Sequence, residues 1–392
     1  MEFHSRRFLL GHVRSILDFY EPRVVDPAGG FFQNFYDNGT VFAPGDRHLV
    51  SSTRMIVNYC RAFQLFGDES YRDLAQHGLD FLRQRHWDES RQGYHWTLSD
   101  GGVPQDQTNH CYGLAFVLLA SAAAHKIGLP GARDDIQRAW QIMESRFWDD
   151  QIGIYADEAS ADWTQLEAYR GQNANMHACE ALIEAFEATG HGEFLARAQT
   201  LAERVAVDLA AKSDGLIWEH YTKALDIDWD YNKDDPANLY RPWGFQPGHQ
   251  TEWAKLLLTL YSMQPEAWML QRARELFDRA LATAWDVQRG GIFYGFAPDG
   301  SVCDSDKYFW VQAESIAASA RLFMQTGDPQ YSEWYDRIWR YSWGCMVDHE
   351  FGAWYRVLDA GNCKVSNEKS TAGGKCDYHT IGAIWDVLQL KL

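Results

Sequence analysis

The 392-residue chain is predicted to be all-α: an (α/α)6 barrel of twelve helices in six pairs, with short β-hairpins between them. Three observations predict this. A punctuation mark recurs six times at nearly even spacing, two helical patterns fill each interval, and one set of helices is much more apolar than the other. The mark is an acidic residue or Trp-Asp, then Gly, then aromatic or β-branched residues. It reads VDPAGGFFQNF, WDESRQGYHW, WDDQIGIYAD, KSDGLIWEHY, WDVQRGGIFYGF and VDHEFGAWYRV. Its glycines (Gly30, Gly93, Gly153, Gly215, Gly291 and Gly352) are separated by 63, 60, 62, 76 and 61 residues. A Gly after a polar turn, with aromatics beyond it, predicts a short hairpin or extended loop. Six unrelated loops would rarely be spaced so evenly.

The helices follow in order. MEFHSRRFLLGHVRSILDF predicts an amphipathic first helix at about 5–20. It has neither the continuous apolar run nor the small-residue cleavage site of a signal peptide. Over 52–66, Met55, Ile56, Tyr59, Cys60 and Phe63 recur at helical spacing, and Leu74, Leu79 and Leu82 mark a second helix over 71–87. Further helices are predicted near 109–127, 133–148, 173–190, 193–211, 249–263, 266–285, 312–326, 330–347 and 378–390. No pair can bury its apolar faces alone, but six pairs can close a ring. Residues 1–392 therefore read as a single domain despite their length.

Composition narrows the function. Hydrophobic residues make up 46% and charged residues 23%, which suits a large core. The 17 Trp, 19 Tyr and 21 Phe fill cores and also stack on the C–H faces of sugars. A net charge of −18 argues against nucleic acid and anionic membrane surfaces, and leaves a small neutral ligand open. Seven cysteines with no CxxC pair predict reduced thiols and a cytoplasmic protein. No run approaches the roughly 18 apolar residues of a membrane span. Oligomeric state is not legible.

Polar residues gather at the helix starts that follow the marks: SSTRM (Arg54), TNHCYG (Asn109, His110, Tyr112), GQNANMHACE (Asn173, Asn175, His177), GHQTEW (His249, Glu252), WVQAES (Gln312, Glu314) and DYHTIG (His379). The helices behind them are rich in Leu, Ala, Ile and Val and are predicted to form the inner ring. The others, such as EFLARAQTLAERVA, carry more charge and are predicted to lie outside. In a ring of antiparallel pairs all inner helices point one way, so their N-termini meet at one mouth. His177 with Glu180, and His249 with Glu252, stand three apart on one helix face. The exposed N–H groups of such a mouth favour a negatively charged intermediate. Taken singly, each residue also has an ordinary reading as a cap, a core group or a salt-bridge partner. The coincidence of all six starts favours a site.

At these residues the sequence resembles the N-acylglucosamine 2-epimerase superfamily, on its mannose isomerase branch. The resemblance runs through RHLVSSTRMIVNYCRAF (47–63), YGLAFVLLASAA (112–123), YRGQNANMHACEALIEAF (169–186), DYNKDDPANLYRPWGFQPGHQTEWAKLLL (230–258), KYFWVQAESIAA (307–318) and KCDYHT (375–380). It implies an (α/α)6 barrel that needs no metal or cofactor and interconverts D-mannose and D-fructose through a cis-enediol. It also implies counterparts for Arg54, Tyr112, Asn173, His177, His249, Glu252, Trp310, Glu314 and His379. On that basis His379 is expected to carry the proton between C2 and C1, a task suited to imidazole near neutral pH. His249, oriented by Glu252, is expected to move protons on the sugar oxygens, and Arg54 and His177 to stabilise charge at O1 and O2. Tyr112, Asn173, Trp310 and Glu314 are expected to hold the sugar. Neither Lys375 nor Asp377 is assigned a contact.

Rival readings use the same residues. A 2-epimerase would set His249 and His379 on opposite faces of C2. An inverting glycoside hydrolase would pair Glu252 with Glu314 at about 6.5–9.5 Å. A metal carboxylate enzyme would use the two HxxE pairs, and a non-catalytic sugar-binding protein would use the pocket alone. The loop Tyr231–Trp243 is a candidate cover.

Overall fold

A computed structural model describes residues 2–374 and 376–390, so Lys375 lies outside the described residues. Among these residues twelve α-helices are present: α1 (Arg6–Tyr20), α2 (Leu49–Phe66), α3 (Glu69–Phe81), α4 (Cys111–Lys126), α5 (Ala132–Ile142), α6 (Gln172–Thr189), α7 (Gly192–Glu203), α8 (Pro247–Met263), α9 (Ala267–Ala284), α10 (Phe309–Thr326), α11 (Pro329–Tyr341) and α12 (Tyr378–Gln389). Predicted inner-helix starts fall within three residues of these. Each even-numbered helix packs on the next, and α12 packs back on α2. The odd-numbered helices lie outside, α3 on α2, α5 on α4 and so on, with α1 completing the ring against α12. Tyr20 ties that seam by donating its hydroxyl proton to Asp377 at 2.7 Å.

The sequence explains which helices are inside. In α4 every residue from Cys111 to Ala124 is buried, which only a helix surrounded by protein tolerates. In α11 the buried set is Tyr331, Tyr335, Ile338, Trp339 and Tyr341, one stripe facing the ring. Asp68 and Asp328 start α3 and α11 by accepting the N–H of the residue two positions on. Four outer helices end in a π-turn, over Leu82–His86, Met143–Phe147, Arg204–Leu209 and Ser342–Met346, where continuous α-helix was predicted. Apolar spacing is blind to one extra residue per turn, and that residue re-aims the chain into the mark. No helix among the described residues is long and apolar enough to cross a membrane.

Five of the six marks form the predicted turns. Trp87–Asp88 pairs with Gly93–Tyr94 and Trp148–Asp149 with Ile154–Tyr155. Single bridges join Val25 to Phe31, Trp285 to Ile292 and Val347 to Trp354. The recurrent Asp has a physical reason. The carboxylates of Asp26, Asp88, Asp149, Asp286 and Asp348 each accept the N–H two residues on, which shapes the turn. Buried cations from the stretches before the inner helices bind three of them: Arg47 to Asp26, Lys307 to Asp286 and Lys369 to Asp348. The mark KSDGLIWEHY departs from the prediction: Asp214 sits in the left-handed region after the short helix Ala210–Ser213, and its strand His220–Tyr221 pairs elsewhere.

That long-range pairing is the feature that local spacing could not predict. The stretch leading into each inner helix pairs with the loop of the next repeat: Arg47–His48 with 97–98, 109–110 with 158–159, 170–171 with 220–221, Phe245 with Phe296, and 307–308 with 357–358. Phe35–Tyr36 with Glu368–Ser370 closes the circle. A crown of short strand pairs therefore runs around the mouth. Asn175, Gln250 and Gln312 fasten it inward, each side-chain amide bonding both the N–H and the C=O of one residue, Tyr155, Ile217 and Ile292 respectively.

The tightest mark gives a stability prediction. Gly291 has φ +86°, and a Cβ there would lie 2.4 Å from Cζ of Tyr341. Gly291→Ala combines a left-handed backbone with a collision against a large ring, and is expected to cost about 2 kcal/mol or more. A lowered thermal unfolding midpoint checks this; an unchanged midpoint refutes it.

Candidate active site

All nine residues singled out by sequence come from the first two turns of the six inner helices, and they meet inside the crown. Arg54 on α2 donates from Nη2 to the Tyr112 hydroxyl at 3.1 Å and from Nη1 to the Gly374 carbonyl at 3.3 Å. Its guanidinium lies over Phe116 at 4.4 Å. The Tyr112 ring meets His177 edge-on at 5.0 Å between centroids. His177 lies 6.4 Å from His379, His379 lies 5.6 Å from Trp310, and Trp310 lies 5.0 Å from His249. Asn173, half-buried at the edge, donates to the Tyr240 carbonyl at 3.0 Å. The other eight are buried. Burial by itself would lower the Arg54 guanidinium, but Tyr112, Cys376, Tyr378 and Tyr240 around it hold it above its ordinary value. Burial pushes the Tyr112 phenol up to about 12, so it stays a neutral donor.

Two imidazoles flank Trp310, and each has Nδ1 against a buried carboxylate. Nδ1 of His379 lies 2.6 Å from Glu314 Oε1. Nδ1 of His249 lies 3.0 Å from both oxygens of Glu219 and 2.9 Å from Gln172 Nε2. The carboxylate orienting His249 is therefore Glu219, not Glu252 as expected. Glu252 lies 3.9 Å from Nδ1 of His177, and its carboxylate faces Glu314 and His379. Helix spacing put Glu252 on the right face, but Glu219 arrives from the preceding strand lead-in, a contact no helical period encodes. Gln172 fixes the arrangement: Trp253 Nε1 donates to its Oε1 at 2.7 Å, which turns its Nε2 toward Glu219 at 2.8 Å. With anions at both Nδ1 positions, the Nδ1 atoms are assigned the protons, and Nε2 is the basic nitrogen.

Below lies a charged layer. Glu314 Oε2 accepts from Lys255 Nζ at 2.6 Å, and Lys255 lies 3.8 Å from Glu180 Oε1. Glu180 Oε2 is 3.0 Å from His177 Nδ1. Burial pushes the Glu314 carboxyl up to about 7, against the pull of the Lys255 ammonium. Burial acts the same way on Glu180, but Lys255 and His177 more than reverse it and hold Glu180 well below the usual carboxylate range. Lys255 is a single cation within the apolar run WAKLLL of an inner helix, and that is the signal by which sequence could have found it. For Glu219 the signal is an acid inside the aromatic stretch LIWEHY.

The loop Tyr231–Trp243 reaches the mouth through Tyr240 and Arg241. The Tyr240 hydroxyl donates to the Gly373 carbonyl at 2.6 Å and accepts from His48 Nε2 at 3.1 Å, while His48 Nδ1 accepts the Val50 N–H. Arg241 pairs with Glu158 and Glu167 and lies over Tyr169 at 4.1 Å. Burial lowers the imidazoles of His48, His110 (to about 3) and His220 (to about 4), so these are neutral supports of the rim. Asn109 and His110 belong to the strand pair rather than to α4. Asn109 donates to the Ser160 carbonyl at 2.8 Å, and His110 stacks on Trp96 at 3.8 Å.

The rivals fare differently. Ligand-type atoms of Glu252, Glu314 and His379 lie within 4.8 Å of one another, as do those of His177, Glu180 and Glu252. That separation of Glu252 and Glu314 is shorter than the roughly 6.5–9.5 Å that an inverting hydrolase needs for its water. Glu180 and Glu314 also both face Lys255, whose ammonium supplies the positive charge a divalent ion would bring.

Residues 30–383 match the family model described as N-acylglucosamine 2-epimerase. A D-mannose isomerase of Marinomonas mediterranea is 53% identical over 388 residues, covering 99% of this chain and 98% of its own. The crystal structure of a D-mannose isomerase superposes with a TM-score of 0.97 at 52% identity, covering 99% of both chains. The cellobiose 2-epimerase of Bacillus thermoamylovorans shares the fold at a TM-score of 0.87 and 18% identity, covering 98% of this chain and 100% of that one.

Proposed function

The chain belongs to the N-acylglucosamine 2-epimerase family, and from that premise we propose that it isomerises D-mannose and D-fructose without a metal or cofactor, as one catalytic domain. The observation that carries the proposal is the pair of imidazoles flanking Trp310, each with Nδ1 against its own buried carboxylate. A carboxylate-paired imidazole is suited to pass a proton between C2 and C1 of a sugar, a step that uses no hydrolytic water.

The roles follow from position. His249, held by Glu219, moves protons on the ring oxygen and hydroxyls to open the sugar. His379 Nε2 then takes the proton from C2. The C2–H electrons form the C1=C2 bond, and the carbonyl electrons move onto O1. Arg54 and His177 stabilise that enediolate oxygen from a site where burial strengthens each interaction. The imidazolium returns its proton to C1, O1 gains a proton, O2 loses one, and the ketone forms at C2. Tyr112, Asn173, Trp310, Glu252 and Glu314 fix the substrate and the bases. A monosaccharide is the only partner this scheme needs. All seven cysteines are unpaired, which supports a reducing, cytoplasmic setting.

Incubating the protein with D-mannose in heavy water tests the reading. Fructose carrying deuterium at C1 is the expected product. Glucose alone would replace the reading with 2-epimerisation, which the two flanking imidazoles also allow. Undiminished turnover in a chelator is expected; loss that added metal restores would refute metal independence.

The pH profile follows from Glu314. Protonated Glu314 would donate to Nδ1 of His379 and move the imidazole proton to Nε2, removing the base. Because burial raises this carboxyl to about 7, kcat/KM for D-mannose is expected to rise with pH as the Glu314–His379 pair deprotonates around that value. A flat profile from pH 5 to 8 would contradict this.

A further inference from the structure

One buried cation sits where the two carboxylate arms meet, and the scheme above gives it no task. Lys255 Nζ bonds Glu314 Oε2 at 2.6 Å, and the other oxygen of Glu314 holds His379. The same ammonium lies 3.8 Å from Glu180 Oε1, and the other oxygen of Glu180 holds His177. The two imidazoles thus rest on carboxylates that share one positive charge. The carboxylates of Glu314, Glu180, Glu252 and Asp386 act on the Lys255 ammonium, and Arg61, Arg321 and Tyr378 line the same space. Arg321 is occupied by Asp386 at 2.8 Å, so among the described residues Lys255 is the cation in direct contact with Glu314.

Behind this layer a cavity of about 720 Å³ opens at the opposite end of the barrel, where Gln64, Glu187, Ser262 and Gln325 form its outer wall. Lys255, Glu180 and Glu314 form its inner wall. The charged layer is therefore a partition, with the sugar site on one side and a polar, solvent-reached space on the other.

We propose that Lys255 is a positioning residue for the isomerisation, fixing through Glu314 and Glu180 the orientation and tautomer of His379 and His177, and that the rear cavity admits small cations to its position. The inference rests on the functional reading above. The physical reason is the cost of an uncompensated buried carboxylate. Without the ammonium, Glu314 takes up a proton or swings away, and either change removes the acceptor that keeps the His379 proton on Nδ1.

The test uses Lys255→Ala and Lys255→Met in the full chain. Both are expected to lose about 10²-fold in kcat on D-mannose with little change in KM. Ethylammonium supplied in solution is expected to restore at least about tenfold in Lys255→Ala, the readout a merely structural role would not give. It should do little in Lys255→Met, whose side chain fills the space, and ethanol should restore neither variant. Turnover within about threefold of wild type in either variant overturns the proposal. So does loss in a variant that melts like wild type and responds to no cation. If wild type turns over no D-mannose, the functional reading fails separately. The placement of Lys255 is then judged by the downfield Nδ1–H resonances of His379 and His177, whose disappearance in Lys255→Met supports it and whose persistence overturns it.

Discussion

His379→Ala is expected to lower kcat on D-mannose by about 10³-fold and to leave KM within a small factor of wild type. The split follows from the geometry. Arg54, Tyr112 and Asn173, which hold the sugar and its developing charge, lie on α2, α4 and α6, while His379 stands on α12 with its Nδ1 2.6 Å from Glu314 Oε1. The variant therefore removes the proton carrier and leaves the sugar's grip intact. Solvent deuterium should stop entering C1 in the same proportion as turnover falls, because both steps pass through one nitrogen. Truncating a side chain that is 1% exposed also leaves a cavity beside Trp310, so thermal unfolding must accompany the assay. Near-normal turnover in a folded variant would remove His379 from the mechanism.

Glu219→Gln is expected to cost about 10²-fold in kcat while preserving the fold. The substitution is nearly isosteric, but the polar network around it is directional. Trp253 commits the oxygen of Gln172, so the Gln172 amide must donate toward position 219, where His249 Nδ1–H also donates. A carboxylate accepts from both. Nδ1 of His249 lies 3.0 Å from both oxygens of Glu219, so whichever way a glutamine turns there, its NH2 group faces that Nδ1–H. If the His249 proton moves to Nε2 in response, ring opening loses its base and the linear sugar becomes the scarce species. The diagnostic is a substrate that is already open: the defect should shrink for an aldose that populates its open-chain form more heavily. A variant equally slow on both kinds of aldose would place Glu219 outside the ring-opening step.

Much of this architecture was legible because repetition amplifies weak signals. One Gly after an Asp predicts little, but six at a 60-residue spacing predict six turns, and the turns define the helices between them. The nine site residues were legible for a related reason: a closed ring forces its inner helix starts together, so residues as distant as Arg54 and His379 had to be neighbours. What stayed hidden was contact between repeats. Glu219, Gln172 and Lys255 act through partners 30 to 81 residues away, at distances set by how neighbouring helices pack. Helical spacing instead suggested Glu252 as the partner of His249, since i and i+3 share a face, and face alone does not say which carboxylate the ring meets. The π-turns were hidden because an apolar stripe survives one inserted residue. The odd mark at Asp214 looked like its siblings in composition, yet its backbone turns the other way.

The strand pairs around the mouth act as a hoop with no loose end. Opening any single link, such as 109–110 from 158–159, leaves five others holding the same circumference, so the loosened segment has nowhere to travel. Amide protons in these two-residue ladders should therefore exchange with solvent far more slowly than isolated pairs of that length, and in step with one another. Side chains only a few ångströms apart, carried by helices from every part of the chain, thus keep their spacing because the rim cannot widen at one point alone.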